Sequence, residues 1–374
     1  MDFELSNDQR LLSDSLARLF AEQYGFDRRR EVSATALGWS RAMWERFAEL
    51  GLTGLGIPEA FGGYGGGPVE TMLVMEAMGR ALTLEPYLGT AVLGATAIRA
   101  AGSADQARVL LPKIAEGGLL LAWAHGEEAA RHDQAYVATT ARRDGGGFRL
   151  DGVKAMVPHG CDADLLLVTG RVCGDPGAEE GLGLFLVDAS APGLLRQGFR
   201  SIDGTAAADL VLSDVQAEAL GVPGQAWPAI RAVIEAGIAA VCAEAVGAMD
   251  AAHALTVDYL KTRSQFGRSI GSNQALQHRA AEMLVQLEQA RSMAILAAVA
   301  MTDPDPRTRA LDLSRAKLIV GRAARFVGQH ALQLHGGIGL TEEYAAGHYL
   351  RRLTVIEQMF GDSNHHLALL ADAA

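Results

Sequence analysis

Basic charge is scarce in this chain of 374 residues: 33 lysines and arginines stand against 44 aspartates and glutamates, a formal net charge of −11. Nucleic acids and anionic membranes bind basic faces, so this balance disfavours both as partners, although a local basic patch could still hold a phosphate. We find no apolar run that we expect to span a bilayer. Met1–Glu4 is acidic and lacks the basic start of a signal peptide, so we expect a cytoplasmic protein.

Cysteine is also scarce, with Cys161, Cys173 and Cys242 alone in the chain. Their separations match no metal-ligand spacing, and an odd, sparse set suits a reducing compartment better than a disulfide framework. We therefore predict no metal site and interpret the thiols as small apolar filler or loop residues. The hydrophobic share of 49% and the charged share of 21% are ordinary for a globular chain with room for two or three domains.

The first third of the chain has the pattern of amphipathic helices. Ser6 and Gln9 predict a capping box ahead of leucines at helical spacing. Pro68 starts a further helix directly after the glycine-rich segment 62–67. A glycine cluster before a helix can cradle phosphate, but this one follows no predicted strand and precedes no Lys-Ser/Thr pair, so we interpret it as a connecting loop.

The middle of the chain, from about residue 120 to 220, changes to short apolar or alternating runs separated by glycine and aspartate. This pattern predicts a small all-β domain. The predicted strands include Tyr136–Ala141, Phe148–Leu150, Leu165–Val168 and Leu184–Val187.

The last part is helical again. Long helices are predicted from Trp227 toward Tyr259, over Gln274–Ala300 and from about Arg309 to Leu334. Three long antiparallel helices predict a bundle, so the chain is mainly α with a β middle domain. We place the domains at residues 1–118, 119–225 and 226–374.

Two segments in the last part carry the most specific pattern. Residues 259–267 read Y-L-K-T-R-S-Q-F-G, and residues 333–339 read Q-L-H-G-G-I-G. In the first, Arg263 follows Tyr259 by one helical turn and its guanidinium could fork onto a pyrophosphate, while Phe266 and the glycine after it end the helix. In the second, paired glycines let a backbone approach a ligand. Taken alone, each segment could also be a surface arginine with a capping glycine, or a simple helix-ending turn.

Together with the order helical, β, helical bundle, these segments resemble the acyl-CoA dehydrogenase family. The resemblance implies an N-terminal helical domain, a β-barrel-like middle domain and a C-terminal four-helix-type bundle. It also implies FAD-dependent α,β-desaturation of an acyl-CoA thioester, with an electron-transfer flavoprotein as acceptor, in an oligomer that shares FAD across a subunit interface. The residues it assigns to the FAD nucleotide are Arg263, Gln265, Phe266, Gln274, Gln333, His335, Gly336 and Gly337.

The chain departs from the family where the reaction needs a carboxylate as base. Phe360 occupies the usual late glutamate position, and the alternative position near the start of the long helix falls on Gly237. Glu235 would point about 200° round that helix from the alternative position. Asp362 is the nearest late carboxylate, although an N-cap is its more ordinary role. The adjacent His365 and His366 could titrate near neutrality, but we expect them on the surface.

The segments that face the flavin ring depart as well. The family's T-E-P-type segment is here Trp123–Glu128, and Pro158 replaces a threonine whose hydroxyl normally contacts the flavin. This pattern resembles the small subunits of heteromeric acyl-CoA dehydrogenases of the pimeloyl-CoA or sterol side-chain type, which implies a second dehydrogenase-like subunit. Three alternatives stay open: a self-sufficient homo-oligomer with Asp362 as base, a flavin oxidase or monooxygenase, and a non-catalytic subunit that completes a partner's FAD site.

Overall fold

Helices occupy both ends of the chain and strands the middle in the computed structural model, which describes residues 4–373. Met1–Phe3, on which the signal-peptide expectation partly rests, lie outside the described residues. The α-helices are α1 Asn7–Gln23, α2 Phe26–Ser33, α3 Arg41–Glu49, α4 Pro68–Ala81, α5 Ala95–Ala101, α6 Ala104–Ala115, α7 Trp227–Thr262, α8 Gln274–Ala300, α9 Pro306–His335, α10 Ala345–Gln358 and α11 Ser363–Asp372. The strands are β1 Leu121–Ala124, β2 Thr140–Asp144, β3 Gly147–Pro158, β4 Leu165–Arg171, β5 Leu182–Asp188, β6 Leu194–Arg200, β7 Ala206–Ala219, β8 Ser264–Gln265 and β9 Arg268–Ser269.

By compactness these elements divide into two units. Unit 1 comprises the residues up to Glu31, Pro68–Thr83 and the residues from Ile238 onward; unit 2 comprises Val32–Gly67 and Leu84–Gly237. The fold class predicted from the sequence is confirmed, because helical ends flank a β middle. The domain boundaries at residues 118 and 225 stay predictions.

The sheet of unit 2 closes on itself like a barrel. Its strands follow the order β4-β2-β3-β7-β5, and β5 pairs with β4 again, while β1 and β6 add to β4 and β7. Inward-facing side chains fill the interior, among them Leu150, Leu166, Phe185, Val187 and Leu210. Burial roughly alternates along β3, whereas β4 and β5 are buried along nearly their whole length, which agrees with the alternating and apolar runs in the middle of the sequence.

One predicted strand is wrong over its first four residues. The run from Tyr136 is predicted to be a strand, but β2 begins only at Thr140. The backbone N–H groups of Ala138 and Thr139 donate to the Glu127 carboxylate, at 2.7 and 3.0 Å, so they cannot donate to a ladder. A side chain from elsewhere in the sequence therefore displaces the strand.

The glycine-rich segment 62–67 is a connecting loop, as predicted. Its backbone N–H groups are taken up by carbonyls of the turn before it, with Tyr64 donating to Gly54 at 3.1 Å and Gly65 to Ile57 at 2.8 Å. A Cβ added to Gly63 would overlap the carbonyl of Ile57, which explains a glycine there. The segment is therefore packed against its own chain.

Unit 1 is built on helices that pack along their lengths. Helices α8, α10 and α11 all pack on α9, and α4 packs between α1 and α8. Where α4 crosses α7, the backbones touch: a Cβ added to Gly79 would overlap the carbonyl of Glu244, and one added to Gly247 would overlap that of Glu76. Small residues at this crossing allow the close approach.

Helix α7 differs from the expectation that no apolar run could span a bilayer. With 36 residues and a mean hydropathy of 1.7 in its most apolar window, it is long and apolar enough to span a bilayer by length and composition, contrary to the expectation from the sequence. However, 83% of that window is buried within the protein, as in a core helix.

Candidate functional site

The first candidate segment folds into a two-residue β-hairpin rather than a helix end. Helix α7 stops at Thr262, and the strands β8 and β9 follow, joined by Phe266 and Gly267 with φ of +53° and +77°. Two positive φ values are what a tight hairpin turn of this hand requires. The expectation that Phe266 and Gly267 end the helix is therefore wrong, because the reversal comes four residues later.

The hairpin is anchored at its base and free at its tip. The Ser269 hydroxyl donates to the carbonyl of Leu260 at 2.7 Å, and Arg268 donates to the Asn273 side chain at 2.9 Å. The side chains predicted to meet the nucleotide, Arg263, Gln265 and Phe266, are all exposed, the phenyl ring completely so. Gln274 is also exposed, in the first turn of α8. The fold therefore presents a cation, two amides and a bare aromatic ring on one short stretch.

The second candidate segment lies at the end of α9. Gly336 caps the helix with φ of +64° and opens a 3-10 helix over Gly336–Leu340. Nothing lies within 4 Å of a Cβ built on Gly336 or Gly337, and both glycines and Gln333 are exposed. A ligand can therefore reach this backbone directly, which is the use predicted for paired glycines.

His335 differs from its neighbours because its ring turns inward. The side chain is only 4% exposed, and Nδ1 donates to the carbonyl of Ala331 at 2.7 Å. Burial lowers the pKa of His335 below its ordinary value, so the ring is neutral near pH 7. Its role as a direct polar contact to the nucleotide stays a prediction.

The turn between α10 and α11 contains Phe360, which the sequence predicts to occupy the family's late carboxylate position. Phe360 adopts φ of +57°, and Asp362 caps α11 by accepting from the backbone N–H of His365 at 2.8 Å. Lys317, fully buried on α9, donates to the carbonyls of Glu357 and Gly361 at 2.9 and 2.8 Å. The turn is therefore held by a buried cation, and the carboxylate within it has a structural role.

His366 braces the same turn from α11. Its Nε2 donates to the carbonyl of Phe360 at 3.1 Å, and Nδ1 accepts from the Ser314 hydroxyl at 3.2 Å. The side chain is buried, and burial together with the nearby Lys317 ammonium lowers the pKa of His366 to about 3. The expectation that both histidines lie on the surface is wrong for His366, because both of its ring nitrogens are used inside the fold.

The alternative base position on α7 is also without a carboxylate, since it falls on Gly237. Glu235 is buried, with its Oε1 3.8 Å from Nε of Arg231 one turn earlier. Further along α7, Glu244 is buried in a bidentate pair with Arg352, at 2.6 and 2.8 Å. Both carboxylates are thus engaged with arginines.

A buried ion pair organises the segment predicted to face the flavin ring. Lys154 on β3 is fully buried, and its Nζ donates to Glu127 Oε1 at 2.7 Å, to Thr169 Oγ1 at 3.0 Å and to the carbonyl of His125 at 3.2 Å. These three acceptors use all three ammonium protons. Burial lowers the pKa of Lys154 to about 8 against the pull of Glu127, so the group is charged at neutral pH.

Glu127 carries the other half of this pair. Burial raises its pKa, but the Lys154 ammonium and the hydrogen bonds from Thr139 and Ala138 outweigh that effect and hold the pKa below its usual range. His125, buried beside the pair, accepts from the Thr169 hydroxyl at 3.1 Å, and burial lowers its pKa to about 3. The segment Trp123–Glu128 is therefore rigidly held.

The end of β3 has the proline noted in the sequence. Pro158 pairs with Ala207 of β7 in register, and the next residue, His159, donates its backbone N–H to the carbonyl of Ala206 at 2.8 Å. Just before, Met156 bulges with φ of +54° and is exposed. This end of the strand offers no hydroxyl and no N–H at position 158.

Across residues 4–373, no group of three or more histidine, cysteine, aspartate or glutamate side chains could hold a metal ion. Cys242 is buried and Cys161 and Cys173 are exposed, which agrees with their interpretation as filler and loop residues.

Three domain models of one family cover almost the whole chain. The N-terminal, middle and C-terminal domain models of acyl-CoA dehydrogenases match residues 6–118, 122–215 and 224–374. The chain belongs to the acyl-CoA dehydrogenase family. Members of this family are FAD-dependent oxidoreductases that act on CH–CH bonds of acyl-CoA thioesters.

Individual acyl-CoA dehydrogenase relatives agree in length and fold. The NADH-dependent acryloyl-CoA reductase of Anaerotignum propionicum is 30% identical, over 99% of this chain and 95% of the relative. A variant of the Tcur3481–Tcur3483 steroid acyl-CoA dehydrogenase superposes with a TM-score of 0.89 at 32% identity, over 98% of this chain and 97% of that one. Butyryl-CoA dehydrogenase from Megasphaera elsdenii gives 0.88 at 26% identity, over 100% and 99%. The resemblance inferred from the sequence motifs is thus confirmed.

Most of the buried polar groups of this dehydrogenase cannot be found by sequence reasoning. No role follows from the sequence for Lys154 or Lys317, and Glu127 lies only within a segment that departs from the family. A lysine within the otherwise apolar run 152–158 and a glutamate in the departing segment are signals in the sequence. Their pairing across 27 residues, however, appears only in the fold.

Proposed function

We propose that this chain is one subunit of a hetero-oligomeric acyl-CoA dehydrogenase that desaturates an acyl-CoA thioester between its α and β carbons. It holds the nucleotide half of FAD, and a second dehydrogenase-like subunit supplies the catalytic carboxylate. One observation carries the proposal: the nucleotide segments are intact and exposed, while Phe360 and Gly237 occupy both positions at which the family places its base.

The exposed segments fit the nucleotide half of FAD. The guanidinium of Arg263 can fork onto a pyrophosphate, Gln333 offers amide hydrogen bonds, and Gly336 and Gly337 leave open space for a ligand against their backbone. FAD supplies the hydride acceptor of the reaction when bound. The proposed role of this chain is to bind and orient FAD.

The segment predicted to face the flavin ring and the position predicted for the catalytic base fit the family's reaction less well. Pro158 offers neither hydroxyl nor N–H to a flavin, and a phenyl ring at position 360 cannot take a proton. Asp362 is the closest substitute, but its carboxylate accepts from the backbone at the start of α11. We therefore assign Asp362 a capping role and place proton abstraction on the partner.

Similar proteins support both the proposed hetero-oligomer and the proposed class of substrate. One structural neighbour at 32% identity is a steroid acyl-CoA dehydrogenase whose name couples two components, Tcur3481 and Tcur3483. For the present chain we propose, by this similarity, a lipid or steroid side-chain thioester, an electron-transfer flavoprotein as acceptor and a cytoplasmic location.

The decisive experiment is purification from the native source and from a host that expresses this chain alone. We expect a second dehydrogenase-like chain to co-purify from the source, and the chain alone to be colourless. A stoichiometric flavin spectrum and full activity in the isolated chain would refute the proposal and favour the self-sufficient homo-oligomer. FAD-loaded complexes that stay fully active when this chain is replaced by the partner would favour a purely structural subunit.

The base assignment has its own test, Asp362→Asn in the assembled enzyme. Asparagine keeps the shape and capping ability of aspartate but not its basicity. We expect turnover within a few-fold of wild type, whereas loss of a catalytic base typically costs about 10²–10⁴-fold. A thousandfold loss in a folded, FAD-loaded protein would identify Asp362 as the base. As a companion, Phe360→Glu restores a carboxylate at the family position, and we expect no gain in activity.

A further inference from the structure

Three aromatic rings connect the segments that hold the nucleotide. Tyr259 lies on α7 just before the hairpin, His335 is the last residue of α9 before the paired glycines, and Tyr344 precedes α10. The ring centroids are 4.6 Å apart for Tyr259 and His335, 5.0 Å for His335 and Tyr344, and 6.2 Å for the two tyrosines. Each pair is within the range of favourable ring contacts.

The contacts continue directly into both segments. The backbone N–H of Arg263 donates to the carbonyl of Tyr259 at 2.8 Å, so the position of the tyrosine sets the start of the hairpin. His335 is bonded covalently to Gly336, where the backbone turns out of α9 with φ of +64°. Both rings are therefore attached to backbone that leads directly into a nucleotide segment.

The central ring of the three has little freedom. His335 is buried between the tyrosines and tied through Nδ1 to the carbonyl of Ala331 at 2.7 Å. The 3-10 helix after it is confined as well, because a Cβ added to Gly347 of α10 would lie 2.7 Å from the carbonyl of Gly339. The end of α9, the glycine segment and the start of α10 thus form one packed unit around His335.

We propose that Tyr259, His335 and Tyr344 form an aromatic clamp that fixes the Arg263 hairpin and the Gly336–Gly337 backbone in the relative positions required to bind one FAD nucleotide. The three are positioning residues, and the inference rests on the proposed function, because it concerns the same cofactor. In this clamp, the inward-facing ring of His335 positions the backbone and does not contact FAD directly.

The same helix provides a matched control. Phe326 and His330 stack at 4.0 Å between centroids, but both lie on α9 one turn apart and join no two segments. A general loss of ring packing should therefore appear in Phe326→Leu, while loss of the clamp should appear only in variants of the three clamp residues.

The test is a titration of the FAD-depleted, assembled enzyme with FAD, together with thermal melting of each variant without FAD. We expect Tyr259→Leu and Tyr344→Leu to lower FAD affinity roughly three- to tenfold each. Tyr344→Phe, which keeps the ring, should restore wild-type affinity, and Phe326→Leu should leave affinity unchanged. Tyr259 and Tyr344 are both only partly buried, so neither substitution removes a fully buried side chain, and the melting curves report whether each variant is folded.

A double-mutant comparison separates the clamp from ordinary stabilisation. If Tyr259 acts through the placement of Arg263, then Tyr259→Leu should weaken FAD binding less in an Arg263→Ala background than in wild type. Additive losses, or FAD affinities of the tyrosine variants equal to wild type, would overturn the clamp. Wild-type assembled enzyme that binds no FAD would instead refute the proposed function itself.

Discussion

At the scale of single residues, the protein places its buried charges where they support candidate ligand segments. Lys154 pairs with Glu127 of the segment Trp123–Glu128, and Lys317 holds the turn that contains Phe360. Each buried cation donates to carbonyls, a hydroxyl or a carboxylate, which offsets part of the cost of desolvation. These residues keep segments in place whose reactive side chains have changed.

The Lys154–Glu127 pair yields a prediction about stability. Lys154→Met leaves the Glu127 carboxylate buried without its cation, so the free energy of unfolding should fall by about 3–5 kcal/mol. Urea denaturation measures this change. Arg46→Met removes a cation from the exposed pair with Glu49 and should cost less than about 1 kcal/mol. Equal losses in the two variants would contradict the assigned importance of burial.

At the scale of elements, the hairpin of β8 and β9 has an unusual tip. Phe266 adopts a left-handed backbone conformation that asparagine tolerates far better than phenylalanine, and its ring is fully exposed. A side chain that is both strained and solvated contributes nothing evident to folding. Its presence is explained if the ring meets a ligand or a neighbouring subunit.

Phe266→Asn therefore separates folding from binding at this tip. Relief of the left-handed strain should keep the melting temperature equal to wild type or raise it, since the strain costs about 1–2 kcal/mol. Loss of the ring should at the same time lower FAD affinity of the assembled enzyme. Calorimetry and FAD titration report the two effects, and unchanged affinity would show that the ring has no part in the nucleotide site.

The turn between α10 and α11 predicts a dependence of stability on pH. The pKa of His366 is about 3 in the folded state, against about 6.5 when unfolded. Below about pH 6.5 the unfolded chain therefore binds a proton that the folded chain does not, and stability is lost as pH falls toward about 3. Between pH 7.5 and 5, wild type should lose up to about 2 kcal/mol more than His366→Asn. Parallel losses in chemical denaturation would contradict this assignment.

At the scale of the whole molecule, the chain has the N-terminal, middle and C-terminal domains of an acyl-CoA dehydrogenase, and the proposed function adds that its set of reactive groups is incomplete. Its relatives match over nearly their full length, so no domain of the family is missing from the match. The proposed departures from the family are confined to a few positions, Phe360, Gly237 and Pro158 among them. Under the proposed function, a partner subunit supplies the base that these positions do not.

The proposed function requires an assembled state for activity. We expect light scattering coupled to size exclusion to show an oligomer for every active fraction, because the proposal places the nucleotide segments of one chain against the flavin-ring segments of another. Dilution until the oligomer dissociates should remove activity and flavin together. A monomer with full activity would refute the requirement.

Local patterns in the sequence were enough to predict most of the long helices and the family. Period and capping residues predicted α8 over Gln274–Ala300 and the capping box of Ser6 and Gln9, both as found, because these signals are local along the chain. The two candidate nucleotide segments were recognised from consecutive residues, although the hairpin within the first one was not predicted. The absence of a carboxylate at Phe360 was a matter of residue identity alone.

Contacts between residues far apart in sequence could be seen only in the tertiary structure. Only the fold shows that His366 is buried, that His335 turns inward between two tyrosines, and that the Glu127 carboxylate takes the donors of Ala138 and Thr139. Burial and hydrogen-bond partners arise when segments far apart in sequence pack, and desolvation then shifts the pKa values of the buried groups. Local sequence patterns do not reveal these long-range contacts.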